Sequence, residues 1–467
     1  MKQAEIGVIG LGVMGSSLSL NFASKGFNVS VYNRLIPEEK HVLDNFSNRI
    51  EEGMSVNIFT DLEDFVASLE RPRKILMMIK AGSAIDAVTE VLLPFLSEGD
   101  VLIDGGNSHY LDTNRRVAVL KQKNIHFMGC GISGGESGAL KGPSIMPGGT
   151  KDNYKHLAPF LEAIAAKDKQ GLACCTHIGP EGSGHFVKMI HNGIEYAEMQ
   201  LLAELYGLLS TSKTNEDIAQ IFKTWNTTYL NSYLLEITID ILEKKENEVY
   251  VLDTILDKAG NKGTGSWSAK TAFNLGTVNT MMSAAVFARY ISSFKSRRVA
   301  MSKRIYKNIE SNESFDIDML ERAYRFARII NQHQGFELIK EASNTYNWDL
   351  NLSEIARIWT NGCIIRSKFM EDSITVFKVH DNYLDSKSIL EQLISDEPAI
   401  KQSIMLSMLN RVAFDTFWAA YSYWVAMSSK KLPANLIQAQ RDYFGAHTYE
   451  RVDAPEGQFF HTNWYSS

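Results

Sequence analysis

The sequence has few cysteines and no excess of positive charge. Its four cysteines among 467 residues, Cys130, Cys174, Cys175 and Cys363, show neither metal-ligand spacing nor the density of a disulfide scaffold. We therefore expect a reduced, cytoplasmic protein without a metal site. The net charge of -6 provides no broad positive field, so nucleic acid is not an expected partner.

The sequence also lacks a hydrophobic run long enough to cross a bilayer. The most apolar late stretch, from Val412 to Met427, is short and contains Asp415. Residues 5 to 15 enter a pattern of strand and glycine residues directly, so we expect neither a secretion signal nor a membrane association. Short repeats and low-complexity segments are missing as well, which excludes solenoid and fibrous folds.

The first part of the chain alternates short β-branched runs with helical segments. These runs are Ile6 to Ile9, Val29 to Tyr32, Ile75 to Ile79, Val101 to Ile103 and Ile125 to Met128. Such alternation predicts βαβ units around a parallel sheet. From about Gly184 onward, helical spacing replaces it, and the glycines and proline between Thr176 and Gly184 mark a boundary.

We therefore predict an α/β Rossmann-type N-terminal domain, a large all-α domain and an irregular C-terminal tail. The predicted boundaries are residues 1–178, 179–433 and 434–467. An apolar content of 45% in a chain of this length is sufficient for separate cores. The aromatic tail is too short to fold alone, so we expect it to dock on another surface.

A glycine-rich motif follows the first predicted strand and opens a helical pattern. Its residues are Gly10, Leu11, Gly12, Val13, Met14 and Gly15. The first glycine permits a tight turn, the second lets the backbone approach a pyrophosphate, and the third allows the helix to pack closely on the strand. The helix N-terminus then faces the anion. The motif predicts a dinucleotide site.

The residues after the second predicted strand indicate which dinucleotide is used. A site for NAD places an acid here to hold the ribose 2′-hydroxyl, but this chain has Asn33 and Arg34. An arginine can pair with a 2′-phosphate and stack on adenine, whereas an acid would repel the phosphate. The sequence therefore favours NADP. The alternative is that Arg34 is a surface arginine that contacts nothing.

Five polar residues recur at helical spacing near the start of the all-α domain. They are Lys188, His191, Asn192, Glu195 and Tyr196. This spacing places all five on one stripe of a helix. The stripe is either the solvated side of a surface helix or a catalytic face. Other polar motifs in the sequence favour the catalytic face.

Three glycine-rich segments supply those other motifs. The segments Asp104 to Ser108 and Gly131 to Gly135 follow predicted strands, and ligands of open α/β sheets bind at the carboxyl ends of strands. The segment Asn261 to Gly265 carries a lysine and a threonine, a combination that suits a phosphate group. The structural alternative for the first two segments is a sharp turn at the end of a strand, and for the third it is an ordinary surface turn.

Eight motifs occur in order along essentially the whole chain. They are Gly10-Leu-Gly-Val-Met-Gly15, Asn33-Arg34, Lys80-Ala81-Gly82, Asp104-Gly-Gly-Asn-Ser108, Ser133-Gly-Gly-Glu-Ser-Gly-Ala139, Lys188-Met-Ile-His-Asn-Gly-Ile-Glu-Tyr196, Gly263-Thr-Gly-Ser-Trp267 and Arg441-Asp-Tyr-Phe-Gly-Ala-His447. Together they resemble the decarboxylating 6-phosphogluconate dehydrogenase family. The resemblance implies an enzyme that converts 6-phosphogluconate to ribulose 5-phosphate and carbon dioxide while reducing NADP.

The resemblance also implies roles for individual residues. Lys188 is the general base and acid, and Glu195 is the second acid. The sugar acid is held by Asn107, Ser133, Gly134, Gly135, His191 and Asn192. The phosphate pocket comprises Tyr196, Lys262, Thr264, Arg289 and Arg441. The cofactor contacts, in addition to the glycine motif, are Asn33, Arg34, Leu35, Ile79, Lys80, Ala81 and Asn107.

The resemblance further implies a homodimer, because Arg441 and His447 reach the site from the tail of the neighbouring subunit. One departure concerns Leu35, since the family commonly has a threonine at this position. The change removes a hydroxyl contact to the 2′-phosphate, so we expect a weaker preference for NADP.

The chemistry sets a requirement on Lys188. It must remove a hydroxyl proton as a hydride leaves the substrate, so its pKa must fall from about 10.4 towards neutrality, and burial acts in that direction. Two alternatives remain open: a shorter β-hydroxyacid dehydrogenase acting on an unphosphorylated acid, and a non-catalytic NADP-binding protein.

Overall fold

The computed structural model describes residues 3–260, 263–305 and 315–465. The chain divides into two compact units, residues 1–420 and 421–467. The first unit contains a seven-stranded sheet with the order β3-β2-β1-β4-β5-β6-β7. Its strands are β1 (Ile6–Ile9), β2 (Val29–Tyr32), β3 (Val56–Phe59), β4 (Lys74–Met77), β5 (Val101–Asp104), β6 (His126–Ser133) and β7 (Ser144–Pro147).

The first six strands of the sheet are parallel, and β7 pairs antiparallel with β6. Five of the strands follow the β-branched runs of the sequence. The strands β3 and β7 were not predicted, because both lie at the edges of the sheet and carry weaker patterns. β3 is only partly buried, and β7 ends in Pro147, a residue that sheets tolerate mainly at edges.

Helices cover both faces of the sheet. They are α1 (Val13–Ser24), α2 (Lys40–Ser47), α3 (Leu62–Ala67), α4 (Ser83–Leu92), α5 (Tyr110–Lys121), α6 (Gly135–Lys141) and α7 (Lys151–Ile164), with 3-10 turns at Pro37–Glu39 and Leu93–Phe95. One buried cluster packs the sheet against α1, α6 and α7, and a second packs it against α3, α4 and α5. The strands are buried on both sides, which explains their continuous apolar runs.

The strand order reverses between β1 and β4. From β1 the chain proceeds outward to β2 and β3, and it then returns to β4 on the other side of β1. The loops after β1 and β4 therefore diverge and leave a crevice at the carboxyl ends of these strands. Open α/β sheets bind ligands at such a switch point.

The rest of the first unit is helical, as the spacing after Gly184 predicted. Its helices are α8 (Ser183–Leu209), α9 (Asn215–Asn226), α10 (Tyr233–Glu243), α11 (Val251–Thr254), α12 (Thr264–Leu275), α13 (Thr280–Ser293), α14 (Lys295–Ser302), α15 (Ile317–Tyr346), α16 (Leu352–Ile358), α17 (Lys368–Phe377) and α18 (Lys387–Leu409), with a 3-10 turn at Tyr383–Asp385 and a two-stranded pair of β8 (Lys245–Glu246) and β9 (Val249–Tyr250). The helix α19 (Asp415–Met427) spans the boundary between the units.

The helix α8 is buried along almost its entire length. It packs against α12, α13 and α15 on one side and against β6 and β7 on the other. A helix that is buried on all sides is a core element rather than a surface one. The polar stripe of the sequence therefore lies inside the protein, which contradicts the interpretation of a solvated face.

The second unit contains a helix and a short antiparallel pair, where the sequence pattern predicted an irregular tail. The elements are α20 (Ala434–Gly445), β10 (Tyr449–Glu450) and β11 (Phe459–Phe460). Asp442 is fully inaccessible and accepts hydrogen bonds from Thr448 N, His461 Nδ1, Thr462 N and Trp464 Nε1. This single carboxylate fixes the return of the chain along α20.

Among the residues that the structure describes, no helix has both the length and the apolar character that a bilayer crossing requires.

Candidate active site

The glycine motif forms the turn between β1 and α1. Gly10 has a φ of +93°, and a Cβ there would lie 2.7 Å from the carbonyl oxygen of Met78. A Cβ on Gly15 would lie 1.9 Å from the carbonyl oxygen of Gly10, so only glycine allows α1 to pack this closely. A Cβ on Gly12 would meet no atom within 4 Å. The turn therefore leaves open space at the N-terminus of α1, which fits a dinucleotide pyrophosphate.

The predicted residues Asn33 and Arg34 lie beside this turn. Asn33 Oδ1 accepts a hydrogen bond from the backbone N–H of Leu11 at 3.0 Å, which ties the end of β2 to the glycine motif. Arg34 Nε donates to Glu39 Oε1 at 3.0 Å, and Asn33 Nδ2 donates to Glu39 Oε2 at 3.1 Å. The carboxylate of Glu39 thus binds both residues that were predicted to select the cofactor.

A cleft of about 450 Å³ opens at the switch point between β1 and β4. Predicted cofactor residues that line it are Gly10, Gly12, Asn33, Arg34, Ile79 and Lys80. Glu39, Tyr32, Val42 and Val88 also line it and were not predicted. The side chain of Leu11 is buried in the core, whereas Leu35 is 63% exposed.

Glycines allow α8 to approach the sheet closely. A Cβ on Gly131 would lie 2.4 Å from the Cβ of Lys188, and a Cβ on Gly184 would lie 2.3 Å from the carbonyl oxygen of Met146. Both positions therefore require the absence of a side chain. Their close approach places Lys188 beside the carboxyl end of β6, where Ser133 and Gly134 leave the strand.

Three polar side chains of α8 converge at this contact. Lys188 Nζ lies 3.3 Å from His191 Nδ1, and His191 Nδ1 lies 3.7 Å from Glu195 Oε2. On the other side of the ring, His191 Nε2 lies 3.1 Å from Ser133 Oγ, and Nδ1 also lies 3.4 Å from Asn192 Oδ1. His191 thereby connects the lysine and the glutamate of α8 to the loop after β6.

Burial shifts the pKa values of all three groups. It lowers the pKa of Lys188 from its ordinary value, although the nearby charge of Glu195 acts in the opposite direction. It raises the pKa of Glu195, against the attraction of Lys188 and Arg289. It also holds the pKa of His191 well below its usual value, so that this imidazole is neutral. Burial therefore favours the neutral amine of Lys188 and the protonated carboxyl group of Glu195, the forms that a general base and a general acid require.

The loop after β5 carries Asn107 and is organised by Asp104. The fully buried Asp104 carboxylate accepts hydrogen bonds from Gly106 N at 3.0 Å and from Ser108 Oγ at 2.6 Å. A narrow cavity, too small to hold a water molecule, lies next to this loop and is lined by Asn107, Ser108, His185, Lys188, Met189, Asn192 and Trp267. The structure thus brings three of the predicted substrate and catalytic residues to one cavity.

The predicted phosphate residues Tyr196 and Arg289 lie together. The guanidinium of Arg289 stands 3.5 Å from the centroid of the Tyr196 ring, and Arg289 Nη1 donates to the carbonyl oxygen of Gly260 at 3.0 Å. A Cβ on Gly265 would lie 2.5 Å from the same ring, so the first turn of α12 packs against it. An arginine beside a helix N-terminus is a favourable environment for a phosphate.

Several predicted residues are described only in part. Lys262 lies outside the described residues, and for Thr264 only the backbone at the start of α12 is described. Arg441 and His447 belong to the second unit, where Arg441 Nη1 donates to Gln438 Oε1 at 3.1 Å. The ring of His447 stands edge-on to Phe444 at 5.9 Å.

One contact of the site carried no sequence signal. The indole of Trp359 stands edge-on to the His191 ring at 5.6 Å, and its Nε1 donates to Met146 Sδ at 3.4 Å. Trp359 follows α16 and is far from His191 in sequence. It fixes the plane of the imidazole, and a pattern search along one helix has no means of finding such a partner.

Comparisons with known proteins are consistent along the whole chain. Residues 5–179 match the NAD binding domain of 6-phosphogluconate dehydrogenase, and residues 184–464 match the 6-phosphogluconate dehydrogenase C-terminal domain. The chain is 44% identical to the decarboxylating 6-phosphogluconate dehydrogenase of Lactococcus lactis subsp. lactis, with 100% of both chains covered. It is 44% identical to the Escherichia coli enzyme of that name, with 99% of this chain and 100% of the relative covered.

A solved structure is similar as well. The Plasmodium falciparum 6-phosphogluconate dehydrogenase is 38% identical and superposes with a TM-score of 0.92, over 98% of this chain and 100% of that chain. The structure of that protein was determined in its apo form, in complex with its cofactor NADP+ and in complex with its substrate 6-phosphogluconate.

Proposed function

The chain belongs to the 6-phosphogluconate dehydrogenase family, and we propose that it oxidises and decarboxylates 6-phosphogluconate to ribulose 5-phosphate and carbon dioxide while reducing NADP. The observation that carries this proposal is the convergence of Lys188, His191 and Glu195 on the loop after β6. This arrangement supplies one base and one acid in a buried site, as the reaction requires.

Lys188 is the proposed base for the oxidation. Its burial lowers the pKa, which favours the neutral amine that can take the proton from the C3 hydroxyl of the substrate. His191 Nδ1 lies 3.3 Å from Lys188 Nζ and thereby orients the amine. Bound NADP accepts the hydride from C3. The residues proposed to hold NADP are the glycine motif, Asn33, Arg34, Leu35, Ile79, Lys80, Ala81 and Asn107.

Decarboxylation and protonation complete the reaction. The resulting 3-keto acid loses carbon dioxide because its carbonyl group accepts the electron pair of the breaking bond, and the protonated Lys188 stabilises the enolate oxygen. Glu195 then donates a proton to the carbon that was C2 of the substrate and becomes C1 of ribulose 5-phosphate. Its burial raises the pKa, which favours the protonated carboxyl group that this step requires.

The remaining substrate contacts are assigned in the same way. We propose that Asn107, Ser133, Gly134, Gly135, His191 and Asn192 hold the sugar acid. Tyr196, Arg289, Lys262 and Thr264 are the proposed phosphate residues, with Arg441 and His447 contributed by a partner subunit. Support comes from the shared cavity of Asn107, Lys188 and Asn192 and from the pairing of Arg289 with Tyr196.

We propose domain boundaries at 178 and 433 and a cytoplasmic location. The boundary at 178 is supported by the start of α8 at Ser183. All four cysteines lie in described parts of the chain, are buried and are not bonded to one another. A reduced compartment is consistent with this state.

The homodimer with exchanged tails is also a proposal. Within the second unit, Leu436, Ile437 and Phe444 on α20 are 61%, 60% and 72% exposed, and a partner surface would bury them. Complementation tests the exchange. Lys188→Ala and Arg441→Ala subunits are unfolded, mixed and refolded together; under tail exchange, one site of each heterodimer combines a native Lys188 with a native Arg441.

The mixture should then recover about a quarter of the wild-type activity, because about half of the dimers are heterodimers and each has one native site. A mixture of Lys188→Ala with Glu195→Gln is the matched control. Both changes lie on α8, so no exchange of tails restores a site. Equal recovery in both mixtures, or none in the first, would count against exchanged tails.

The reaction itself is tested by following NADPH and carbon dioxide together. We expect both products in equal amounts from 6-phosphogluconate and little reaction with gluconate. Equal use of gluconate would favour the shorter β-hydroxyacid dehydrogenases, and cofactor binding without turnover would favour a non-catalytic protein. The full-length match to decarboxylating relatives already disfavours the first of these alternatives.

A further inference from the structure

The ribose end of the cofactor cleft contains an acid that the sequence motifs did not include. Glu39 ends the 3-10 turn Pro37–Glu39 and lines the cleft together with Asn33 and Arg34. One carboxylate oxygen accepts hydrogen bonds from Arg34 Nε and Nη2, and the other accepts from Asn33 Nδ2. The acid therefore binds the two residues that follow β2.

This arrangement matters for a 2′-phosphate. Arg34 presents its guanidinium fork to Glu39, and the same fork is the group expected to bind the phosphate. The hydrogen bonds from Arg34 lower the pKa of Glu39, so its carboxylate is ionised at neutral pH. A phosphate at this position must displace the carboxylate from Arg34 or accept a like charge beside it.

A 2′-hydroxyl meets a different environment. A carboxylate near the end of the second strand is the group that holds the ribose hydroxyl in sites for NAD. Leu35 adds to the effect, because its side chain is 63% exposed and offers no hydrogen bond to a phosphate. The ribose end thus combines a cation that favours NADP with an anion that favours NAD.

We propose that Glu39 determines cofactor specificity: by pairing with Arg34 it weakens the binding of the 2′-phosphate, so the protein discriminates only modestly between NADP and NAD. This inference rests on the proposed function, because cofactor choice matters only for an enzyme that uses a dinucleotide. The interaction itself involves only the ribose end of the cleft. Arg34 and Glu39 are 65% and 29% exposed at their side chains, so solvent screens the pair. We expect an effect of about two- to fivefold on phosphate affinity.

The test uses fragments of the cofactor, so it does not depend on turnover. The affinities of adenosine 2′,5′-bisphosphate and adenosine 5′-monophosphate are measured by calorimetry for the wild type and for Glu39→Gln. The substitution removes the charge and keeps the shape. We expect the bisphosphate to bind about two- to fivefold more tightly to Glu39→Gln at low salt, with little change for the monophosphate.

Two further variants separate the proposed cause from others. Glu63→Gln removes the same charge from the exposed first turn of α3, which does not line the cleft, and should leave both affinities unchanged. In an Arg34→Ala background, Glu39→Gln should change the bisphosphate affinity by less than about twofold, because the pair no longer exists. The gain should also shrink at about 0.5 M salt.

Two results would overturn the proposal. One is a ratio of the two fragment affinities that is the same in Glu39→Gln and in the wild type. The other is a gain of full size in the Arg34→Ala background, because Glu39 would then not act through Arg34. Failure of the proposed function is a separate outcome, in which the two cofactor fragments bind the wild-type protein as expected but 6-phosphogluconate gives no NADPH.

Discussion

The close packing of α8 on β6 gives the sharpest test of how Lys188 is positioned. Gly131→Ala introduces a methyl group whose carbon would lie 2.4 Å from Lys188 Cβ and 3.0 Å from the carbonyl oxygen of Gly184. Ordinary contacts between carbon atoms are about 3.5 to 4.0 Å. The helix must therefore move away from the strand by about 1 Å.

Two consequences follow from such a shift. Insertion of a methylene-sized group into a packed interior costs about 1–3 kcal/mol of unfolding free energy. Misplacement of a catalytic group by about 1 Å costs about a hundredfold in rate. The cofactor cleft lies at the switch point between β1 and β4, so the KM for NADP should change little. We expect kcat to fall about a hundredfold in Gly131→Ala.

The assay measures NADPH formation at saturating 6-phosphogluconate, together with denaturant unfolding and far-ultraviolet circular dichroism. Gly207→Ala is the matched control, because it lies on the same helix and its Cβ would stand 3.5 Å from Val412 Cγ1. That variant should retain kcat and gain up to about 1 kcal/mol of stability from the better helix former. A Gly131→Ala protein with native kcat and native stability would refute the reasoning.

The other predictions concern charge and hydrogen bonding. Lys188→Ala should reduce kcat by at least about a hundredfold while calorimetry still detects substrate binding; a near-native rate would exclude it as the base. Glu195→Gln removes an interaction that raises the pKa of Lys188, so the acid limb of kcat/KM for oxidation should move to lower pH; a limb that moves to higher pH would contradict this. Ser133→Ala leaves the buried His191 Nε2 without its hydrogen-bond partner, which should cost about 1–3 kcal/mol in urea unfolding; an unchanged midpoint would argue against that contact. Burial acts to raise the pKa of Asp442, but hydrogen bonds from His461, Thr462 and Trp464 outweigh it and lower the pKa to about 2. The folded value lies below the unfolded one, so this stabilisation is present above about pH 4 and is lost as the pH falls towards 2; the protection factors of the Thr448 and Thr462 amides against hydrogen exchange should fall over that window, and in Asp442→Asn they should already be low at neutral pH.

The pattern of apolar residues predicted most of the fold. The parallel strands β1, β2, β4, β5 and β6 lie inside the sheet and are buried, so they appear as β-branched runs, and the helices after Gly184 appear as helical spacing. The edge strands β3 and β7 were not predicted. An edge strand is paired on one side only, and β7 includes polar residues and Pro147 whose burial depends on neighbours far away in sequence.

The features of the candidate site likewise fall into those that the sequence predicted and those that it could not. The sequence determined the glycine turn and the polar stripe of α8, because one-dimensional spacing already places those residues on one turn or one helix face. The sequence could not decide whether this polar stripe faces solvent or lies buried in the protein. Only the tertiary structure did so, by packing Gly131 and Gly184 at the crossing of α8 and β6.

The contacts of Glu39 and Trp359 depended entirely on the folded chain. Glu39 reaches Arg34 because the 3-10 turn folds back over the end of β2, and Trp359 reaches His191 across the contact between the helices and the sheet. The spacing of residues along the sequence indicates which of them lie on the same helix or strand. Partners on different elements are chosen by packing, and the physical reason is that their distances depend on every loop and core residue between them.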